Sequence, residues 1–297
     1  MVTLGILSMF CAKAGARKVL AVDNSSIIQK ARQNVIDNGL TDIITCISGR
    51  IEDVTLPVEK VDVIISEWMG YCLLYEAMLP SVLWARDRYL KPDGLLVPSV
   101  ATIFAAPVSD DEYISDNVSF WDDVYGFSMK SMQEGIFDEA EVNTLPATAL
   151  CGEPFLLTQL QLHDIKPEDL TFTAQWSSKL NRDIDRVDGF LVWFDIYFTA
   201  SRHEQVSPPS QSAQLWKEHS TTRIAFTTGP FGTETHWKQG LLLAPPVKEE
   251  TSNLSAGLEI SGETAFSSLE SDSRALSIKT SWKVPGRKDR SRIWKLR

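Results

Sequence analysis

The chain has 297 residues, of which 43% are hydrophobic and 23% charged. This composition is that of a globular protein with one large or two ordinary domains. The net charge of −10 favours basic partners and argues against nucleic acid as a direct ligand.

The distribution of charge and the spacing of the cysteines further limit the kind of protein and its location. Seven Lys and Arg lie in the last fifteen residues, which we interpret as a basic chain end, with a localisation signal as the alternative. The four cysteines, Cys11, Cys46, Cys72 and Cys151, form no CxxC pair, so neither a metal site nor a disulfide framework is indicated. We expect a reducing location, the cytoplasm and also the nucleus.

The apolar residues 1–11 lack the positively charged start of a signal peptide, and their pattern continues into Lys13 and Arg17. We interpret them as part of a domain helix. No stretch approaches the roughly 20 apolar residues of a membrane span, so no membrane association is expected.

The first hundred residues alternate between helix and strand signals. Helices are predicted at Ile6–Ala14, from Ser25 or Ser26 to Asn38, and at Ala77–Tyr89. Strands are predicted at Lys18–Val22, Ile43–Ile47, Val61–Ile65 and Leu95–Val97, with a turn at Pro92–Gly94 before the last. The apolar Val61–Ile65 run predicts a buried strand. This alternation is typical of an α/β fold with a doubly wound parallel sheet.

After Pro98 the pattern changes to short strands separated by polar turns, which predicts an antiparallel sandwich or barrel. Candidate strands are Leu170–Trp176, Gly189–Thr199, Arg223–Thr227, Gly240–Leu243 and Ala275–Trp282. Residues 110–145 interrupt them with the aromatic residues Phe120, Trp121, Tyr125 and Phe127, which indicate a partner surface or plug the barrel. Ser207–Ser212 suggests a surface insertion. We predict two domains, 1–98 and 99–297.

Two glutamates follow the Val61–Ile65 strand, Glu67 and Glu76. Ligands bind beyond the carboxyl ends of strands in open α/β sheets. Two carboxylates there, walled by Trp68, Met69, Tyr71 and Met78, would suit a guanidinium, which pairs bidentately with carboxylates and stacks on aromatic rings. The alternative is that both are solvated loop acids, as most glutamates are.

Three further residues are candidates for a site. Asp23 ends a predicted strand, where an acid commonly accepts hydrogen bonds from ribose hydroxyls or simply ends a turn. Glu52, next to Ile51, follows the next strand and could accept from the amine of adenine or be a solvated acid. His236 would line the acidic pocket from across the domain junction, or be structural.

Residues 66–76 resemble the double-E loop of the protein arginine methyltransferases nearly letter for letter, and the resemblance covers almost the whole chain. Residues 5–16 resemble the segment after that family's glycine-rich loop, and Thr235–Trp237 resembles its THW loop. The resemblance implies a Rossmann-like S-adenosylmethionine-dependent methyltransferase domain, then an antiparallel β-barrel with a dimerisation arm at about 110–145. Val58–Ser66 and Phe120–Phe127 are most similar to the type I, zinc-finger-bearing, ribosome-associated subgroup.

The resemblance also implies a role for each matching position. Glu67, Glu76 and His236 would be catalytic. The cofactor, S-adenosyl-L-methionine, would be bound by Gly5, Asp23, Ile51, Glu52, Met78 and Ser81, and the substrate pocket would contain Trp68, Met69, Tyr71 and Trp237. The implied reaction is the formation of mono- and asymmetric dimethylarginine on Arg-rich proteins, for example ribosomal or RNA-binding proteins, by a homodimer.

One departure concerns the start of the chain. The family has a first strand, a glycine-rich loop and two helices before the position of Gly5, together with an Asp that partners the THW histidine, whereas only residues 1–4 precede Gly5 here. We therefore expect an N-terminally truncated domain with little activity and two exposed strand edges. An inactive interaction or dimerisation protein is the first alternative. A Rossmann oxidoreductase is the second, although no Gly-x-Gly-x-x-Gly motif supports it.

Overall fold

The computed structural model describes residues 4–206, 212–218, 220–246 and 253–297. Of the predicted surface insertion at 207–212, every residue except Ser212 lies outside these ranges, as do residues 1–3. None of the helices within them combines the length and apolar character needed to cross a membrane.

The first part of the chain alternates helices and strands as predicted. Its elements are α1 (Ile6–Lys13), β1 (Val19–Asp23), α2 (Ile27–Asp37), β2 (Ile44–Ser48), β3 (Val61–Ile65), α3 (Leu79–Tyr89) and β4 (Leu90–Val97). The three helices and the first three strands lie within two residues of their predicted ends.

The prediction of a turn at Pro92–Gly94 is wrong, because β4 already begins at Leu90. Val61 and Val63 of β3 lie opposite Leu90 and Leu95, so residues 91–94 form a bulge in β4. A bulge accommodates a proline, which has no N–H for a strand ladder, and a glycine. The turn residues therefore bend the strand instead of ending it.

The four strands of this part form two separate parallel pairs, β1 with β2 and β3 with β4. Among the residues described, neither β1 nor β3 has a second strand partner. The prediction that β3 is buried is wrong: Asp62, Val63 (46%) and Ile65 (43%) are exposed, and the other two residues are only half-buried. A strand paired on one side only leaves its side chains and one backbone edge open to solvent.

The second part is built from antiparallel sheets, as predicted. Its elements are β5 (Val100–Val108), α4 (Asp111–Asn117), β6 (Glu141–Asn143), β7 (Phe155–Gln161), β8 (Phe172–Lys179), β9 (Gly189–Phe198), α5 (Ala213–Glu218), β10 (Ile224–Thr227), β11 (Gln239–Leu243), β12 (Glu259–Leu269), β13 (Asp272–Lys283) and β14 (Arg290–Leu296). One sheet has the order β6-β11-β9-β5-β7, with β10 also on β9, and the other β14-β13-β12-β8. Each of the five predicted strands is present, with ends shifted by up to three residues.

One hydrophobic core joins the two parts of the chain. Trp68, Leu83 and Leu96 pack into the same cluster as Phe190 and Phe194 of β9. A second, smaller cluster between α2 and the β1–β2 pair, formed by Ala21, Ile28, Ala31, Val35 and Ile44, shares none of these residues. The segment from β3 to β4 therefore packs with the barrel, whereas the β1–β2 pair packs mainly with its own helices.

Hydrogen bonds reinforce the contact between β4, α3 and the barrel. The Leu96 N–H donates to His163 Nε2 at 2.9 Å. Arg86, which is buried, donates from Nη1 to the carbonyls of Leu162 and Ile165, both at 2.7 Å. Hydrogen bonds to a buried charged group contribute more to stability than neutral hydrogen bonds do. Polar bonds as well as apolar packing therefore hold β4 and α3 on the barrel.

The segment 110–145 forms an arm on the barrel. It contains α4, two 3₁₀ turns and β6, and its base is fixed by a hydrogen bond from Ala140 N–H to the Lys295 carbonyl, 2.8 Å. At its tip Phe120 is 47%, Tyr125 96% and Phe127 71% exposed. These three rings do not plug the barrel, and Trp121 packs edge-to-face on Phe120 at 5.1 Å.

Candidate active site

The loop between β3 and α3, residues 66–77, is called here the acidic loop because it carries Glu67 and Glu76. Four of its non-glycine residues have left-handed backbone angles: Cys72 (φ 50), Leu73 (φ 71), Glu76 (φ 74) and Ala77 (φ 51). Each such residue costs roughly 1–3 kcal/mol, and strain of this kind is concentrated at functional sites.

Contacts within the loop fix part of this conformation. Gly70 and Leu73 exchange two backbone hydrogen bonds, both 3.0 Å long. A Cβ on Gly70 would lie 1.9 Å from the Tyr75 carbonyl oxygen, so only glycine fits here. The loop is therefore tightly folded on itself.

The barrel holds the same loop from outside. Cys72 is buried against β11, where a Cβ on Gly240 would lie 2.2 Å from its Sγ. Trp237 Nε1 donates to the Met69 carbonyl at 2.9 Å. The N–H of Glu76 donates to the Arg274 carbonyl at the start of β13, 2.8 Å away. The positions of both carboxylates thus depend on the barrel.

The structure brings Glu67, Glu76 and His236 into one electrostatic environment. Burial raises the pKa of Glu67, repulsion from Glu76 adds to the rise, and attraction to His236 opposes it. Glu76 remains 42% exposed, and its Oε1 lies 3.5 Å from Nη2 of Arg274. Glu76 and His236 are therefore close enough to Glu67 for their charges to act on it, and two carboxylates within such a range would suit a cation with several donors.

The four predicted pocket residues divide into two groups. Tyr71 is 37% exposed and stacks on Tyr75 with ring centroids 5.9 Å apart. Trp237 is half-buried and stacks on Phe226 at 5.5 Å. Trp68 and Met69 are buried in the main core, at 2% and 7% exposed. In the free chain Tyr71 and Trp237 are accessible, and the wall role of all four stays a prediction.

Asp23 lies at the carboxyl end of β1, where it was expected. It is buried, and its Oδ1 accepts from the N–H and the hydroxyl of Ser25 at 2.8 and 2.6 Å. Asp23 pairs in register with Ser48, the last residue of β2, so both strand ends lie at the same edge of the sheet. An acid here can accept hydrogen bonds from vicinal hydroxyls.

Glu52 follows β2 at this edge. Its Oε1 accepts from the Ser81 hydroxyl at 2.5 Å, and its Oε2 lies 3.6 Å from Arg50 Nε. Burial raises its pKa, but the Ser81 hydrogen bond and Arg50 together outweigh burial, so the pKa of Glu52 is lowered. Glu52 is thus an ionised acceptor, and Ser81 links it to α3 and the acidic loop.

The remaining predicted cofactor residues frame these two acids. Gly5 has φ 85 just before α1, and a Cβ there would come within 3.4 Å of the Ala31 Cβ. Ile51 is half-buried beside Glu52, and Met78 directly precedes α3 and packs on the main core. Two acidic acceptors at one strand edge fit a nucleoside with ribose hydroxyls and an exocyclic amine. These acceptors therefore fit the adenosine part of S-adenosylmethionine.

Replacing Asp23 with Ala is expected to weaken S-adenosylmethionine binding by about tenfold to a hundredfold, because hydrogen bonds to a charged acceptor contribute roughly 1.5–3 kcal/mol. Titration calorimetry measures this. Ser25→Ala is the control, because it removes a partner of Asp23 but leaves the carboxylate. Equal affinities in Asp23→Ala and the wild type would refute the assignment.

Sequence reasoning missed three residues that shape this site. Gly240 carried a weak signal, since a glycine inside a strand often marks a close approach of another segment. Cys72, its neighbour in space, and Arg274, which lies 198 positions after Glu76, carried none. Only the packing of the barrel against the acidic loop brings them together.

Family models match both parts of the chain. A methyltransferase-domain model matches residues 3–97, and a model of the arginine methyltransferase oligomerisation subdomain matches residues 99–287. Protein arginine N-methyltransferase 1 of Schizosaccharomyces pombe is 43% identical over 278 residues, which are 94% of this chain and 75% of that protein. The chain belongs to the protein arginine methyltransferase family.

Other family members extend the comparison. The S. pombe ribosomal protein arginine N-methyltransferase rmt3 is 42% identical over 285 residues, 96% of this chain. The chain spans 50% of the length of that relative. A structure of the Trypanosoma brucei PRMT1 enzyme–prozyme heterotetrameric complex with AdoHcy matches all of this chain and 87% of its own, with a TM-score of 0.84 and 33% identity.

A structure of Arabidopsis thaliana protein arginine methyltransferase 10 matches with a TM-score of 0.79 and 27% identity, over 99% of this chain and 87% of its own. These matches confirm the predicted fold of a methyltransferase domain followed by a family-specific barrel. The oxidoreductase alternative is wrong.

Proposed function

We propose that the protein transfers methyl groups from S-adenosyl-L-methionine to the terminal nitrogens of arginine side chains in Arg-rich proteins. The observation that carries this proposal is the acidic loop, where Glu76 has a left-handed backbone supported by the barrel and is close enough to Glu67 for the two charges to repel each other. A guanidinium has five donors in a planar fork, and two carboxylates on one loop match that geometry.

Each candidate residue has a separate role in the proposed reaction. Glu67 and Glu76 bind the guanidinium and draw its positive charge away from the attacking nitrogen, and His236 accepts the proton. S-adenosylmethionine supplies the methyl group, and Asp23 and Glu52 would hold its ribose and adenine. Positioning alone lowers barriers by roughly 7–11 kcal/mol in favourable cases, and preorganised charges add to that.

The finer assignment follows the ribosomal relative. The 42% identity to rmt3, whose name specifies ribosomal protein, supports ribosomal proteins as substrates and the ribosome-associated subgroup. The type I class, RNA-binding substrates, and mono- and asymmetric dimethylarginine as products follow from the resemblance of the sequence motifs. A cytoplasmic location, extending to the nucleus, is consistent with such substrates. The family-model limits at 97 and 99 support domains at 1–98 and 99–297.

The test is methyl transfer from labelled S-adenosylmethionine to an Arg-Gly-rich peptide, with the Lys-substituted peptide as the control. Incorporation into the Arg peptide alone is expected, and mass spectrometry should identify mono- and asymmetric dimethylarginine. Equal counts on both peptides would contradict arginine specificity.

A second function, an interaction protein that binds basic peptides without methylating them, is favoured by one observation. In the described part of the chain β1 and β3 each have only one strand partner, so the sheet next to the cofactor acids is open. The same assay separates the two functions. Specific binding of the Arg peptide, with incorporation of the labelled methyl group no higher than background, would favour the interaction protein.

We propose that the arm forms a symmetric homodimer, in accord with the oligomerisation subdomain that the family model describes. Changing Tyr125 and Phe127 together to Ser is expected to convert a dimer to a monomer, because exposed aromatic patches usually mark interfaces. Light scattering at micromolar concentration measures the mass. Ile293→Ser, on a 49% exposed side chain of β14, is the control. A mass unchanged in the double variant would disprove the role of the arm.

A further inference from the structure

Arg274, at the start of β13, places its own guanidinium beside the carboxylate of Glu76. Nη2 of Arg274 lies 3.5 Å from Oε1 of Glu76. We propose that Arg274 is a displaceable internal counter-ion of the substrate site, which competes with the substrate arginine for Glu76. This inference rests on the proposed function, because it assumes that Glu76 binds a substrate guanidinium.

The main chain of Arg274 makes hydrogen bonds that are independent of its side chain. Its carbonyl accepts from the N–H of Glu76 at 2.8 Å and so supports the left-handed backbone of that residue. Its own N–H donates to Asp272 Oδ1 at 2.9 Å, which fixes the start of the strand. Neither bond involves the guanidinium. A substitution at this position therefore removes the counter-ion and keeps the support of the acidic loop.

The side-chain contact is weak enough to be displaced. It is a single approach of 3.5 Å between groups that are 66% and 42% exposed. Ion pairs of this exposure contribute little to stability. Among the residues that the structure describes, Glu76 is the acid with which the Arg274 guanidinium pairs, whereas a substrate guanidinium placed between both glutamates would engage Glu67 as well. The substrate is therefore the stronger partner of Glu76, and it must displace Arg274 in order to bind.

The charge of Arg274 has the same sign as the substrate. While Arg274 is paired, it reduces the attraction that the acidic loop offers to a cation. Once displaced, it remains on the same strand end and repels a second cation nearby. Arg274 should therefore raise the apparent dissociation constant of Arg peptides without changing the bound geometry.

Fluorescence anisotropy of a labelled Arg-Gly-rich peptide and its citrulline counterpart tests this with the full 297-residue chain, at about 0.15 M salt, where charges beyond roughly 8 Å are screened. Arg274→Gln is expected to bind the Arg peptide about two- to fivefold more tightly than the wild type, the size of an exposed ion pair. Arg274→Lys, which keeps the charge, should stay close to the wild type. Citrulline-peptide binding should not change.

Lys283→Gln is the matched control. Lys283 is 70% exposed on the same strand, its Nζ lies 3.5 Å from Asp289, and the substitution removes one positive charge. It is nine residues from Arg274, about 30 Å along a strand. Its affinity for the Arg peptide should equal that of the wild type. An equal gain in Lys283→Gln would mean that net charge alone acts, which overturns the proposal.

Two further outcomes are distinguishable. If the wild type prefers the Arg to the citrulline peptide but Arg274→Gln gains no affinity, the counter-ion role is wrong and the proposed function stands. If neither the wild type nor any variant prefers the Arg peptide, the proposed function fails, and the inference fails with it. In an active preparation the same change should lower KM for the peptide and leave kcat unaltered, whereas a purely structural role would lower kcat.

Discussion

Replacing Glu76 or Glu67 with Gln is expected to reduce methyl transfer to an Arg-Gly-rich peptide by more than about tenfold, which is at least roughly 1.4 kcal/mol. An amide has no charge and replaces one acceptor oxygen with an NH2 group, which repels a guanidinium that has only donors. Hydrogen bonds to a charged group contribute roughly 1.5–3 kcal/mol, so the loss of one carboxylate should exceed this threshold. Cofactor binding should be largely spared, because Asp23 and Glu52 are unchanged. Radiolabel transfer and calorimetry measure the two effects.

Glu139→Gln is the control for this pair, since Glu139 is a surface acid, 62% exposed, whose Oε1 lies 3.8 Å from Arg297. It should keep the wild-type rate. Peptide binding gives a second readout, in which both site variants should lose the preference for arginine over citrulline. More than about a tenth of the wild-type rate in either variant would remove that glutamate from the proposed mechanism.

Peptide affinity should also depend on pH in a defined direction. Burial raises the pKa of Glu67, so this carboxyl takes up a proton at a higher pH than an ordinary glutamate does. Binding a cation needs the ionised form, and affinity should therefore fall with decreasing pH, starting above the range where exposed glutamates titrate. The profile should flatten in Glu67→Gln. An unchanged profile in that variant would show that another group controls it.

Replacing Gly240 with Ala is expected to lower both the melting temperature and the affinity for the Arg peptide. The new methyl group would lie 2.2 Å from Cys72 Sγ, so the acidic loop must move away from β11. Overpacking of this kind costs about 1–3 kcal/mol. The double variant Gly240→Ala, Cys72→Ala removes the sulfur and should recover much of the loss. Losses that simply add in the double variant would mean that this contact does not position the loop.

The sequence was sufficient for the elements whose determinants are local. The alternation of apolar runs and polar turns predicted both ends of β3, Val61 and Ile65, and it predicted the end of α2 to within one residue. Gly39, with φ 66, follows that helix in the left-handed conformation that commonly ends helices. The bulge of β4 was not predictable in this way, because Pro92–Gly94 has the composition of a turn and only the pairing with β3 makes it part of a strand.

The candidate site shows the same limit. Asp23 ends β1, and Glu52 and Glu67 follow β2 and β3, so the predicted strands were enough to place these acids near strand ends, where ligands bind. Trp68 directly follows Glu67 in the sequence and was therefore predicted to line the pocket. It is 2% exposed in the core, because the barrel covers the face on which it lies. Arg274 reaches Glu76 only through a contact between distant segments, which no local pattern encodes.

The division of the core has a consequence for how the molecule opens. The sequence changes character near Pro98, but the residues from β3 onward share one apolar cluster with the barrel, whereas the β1–β2 pair shares a small cluster with its own helices. Regions with few buried contacts exchange their amide hydrogens through low-energy local opening. Amides of β1, α2 and β2 should therefore exchange with deuterium well before those of β4 and β9. The nucleoside end of the site would then open while the acidic loop stays folded. S-adenosylmethionine would bind to the part of the molecule that opens more easily, and the peptide would bind to the part that resists opening.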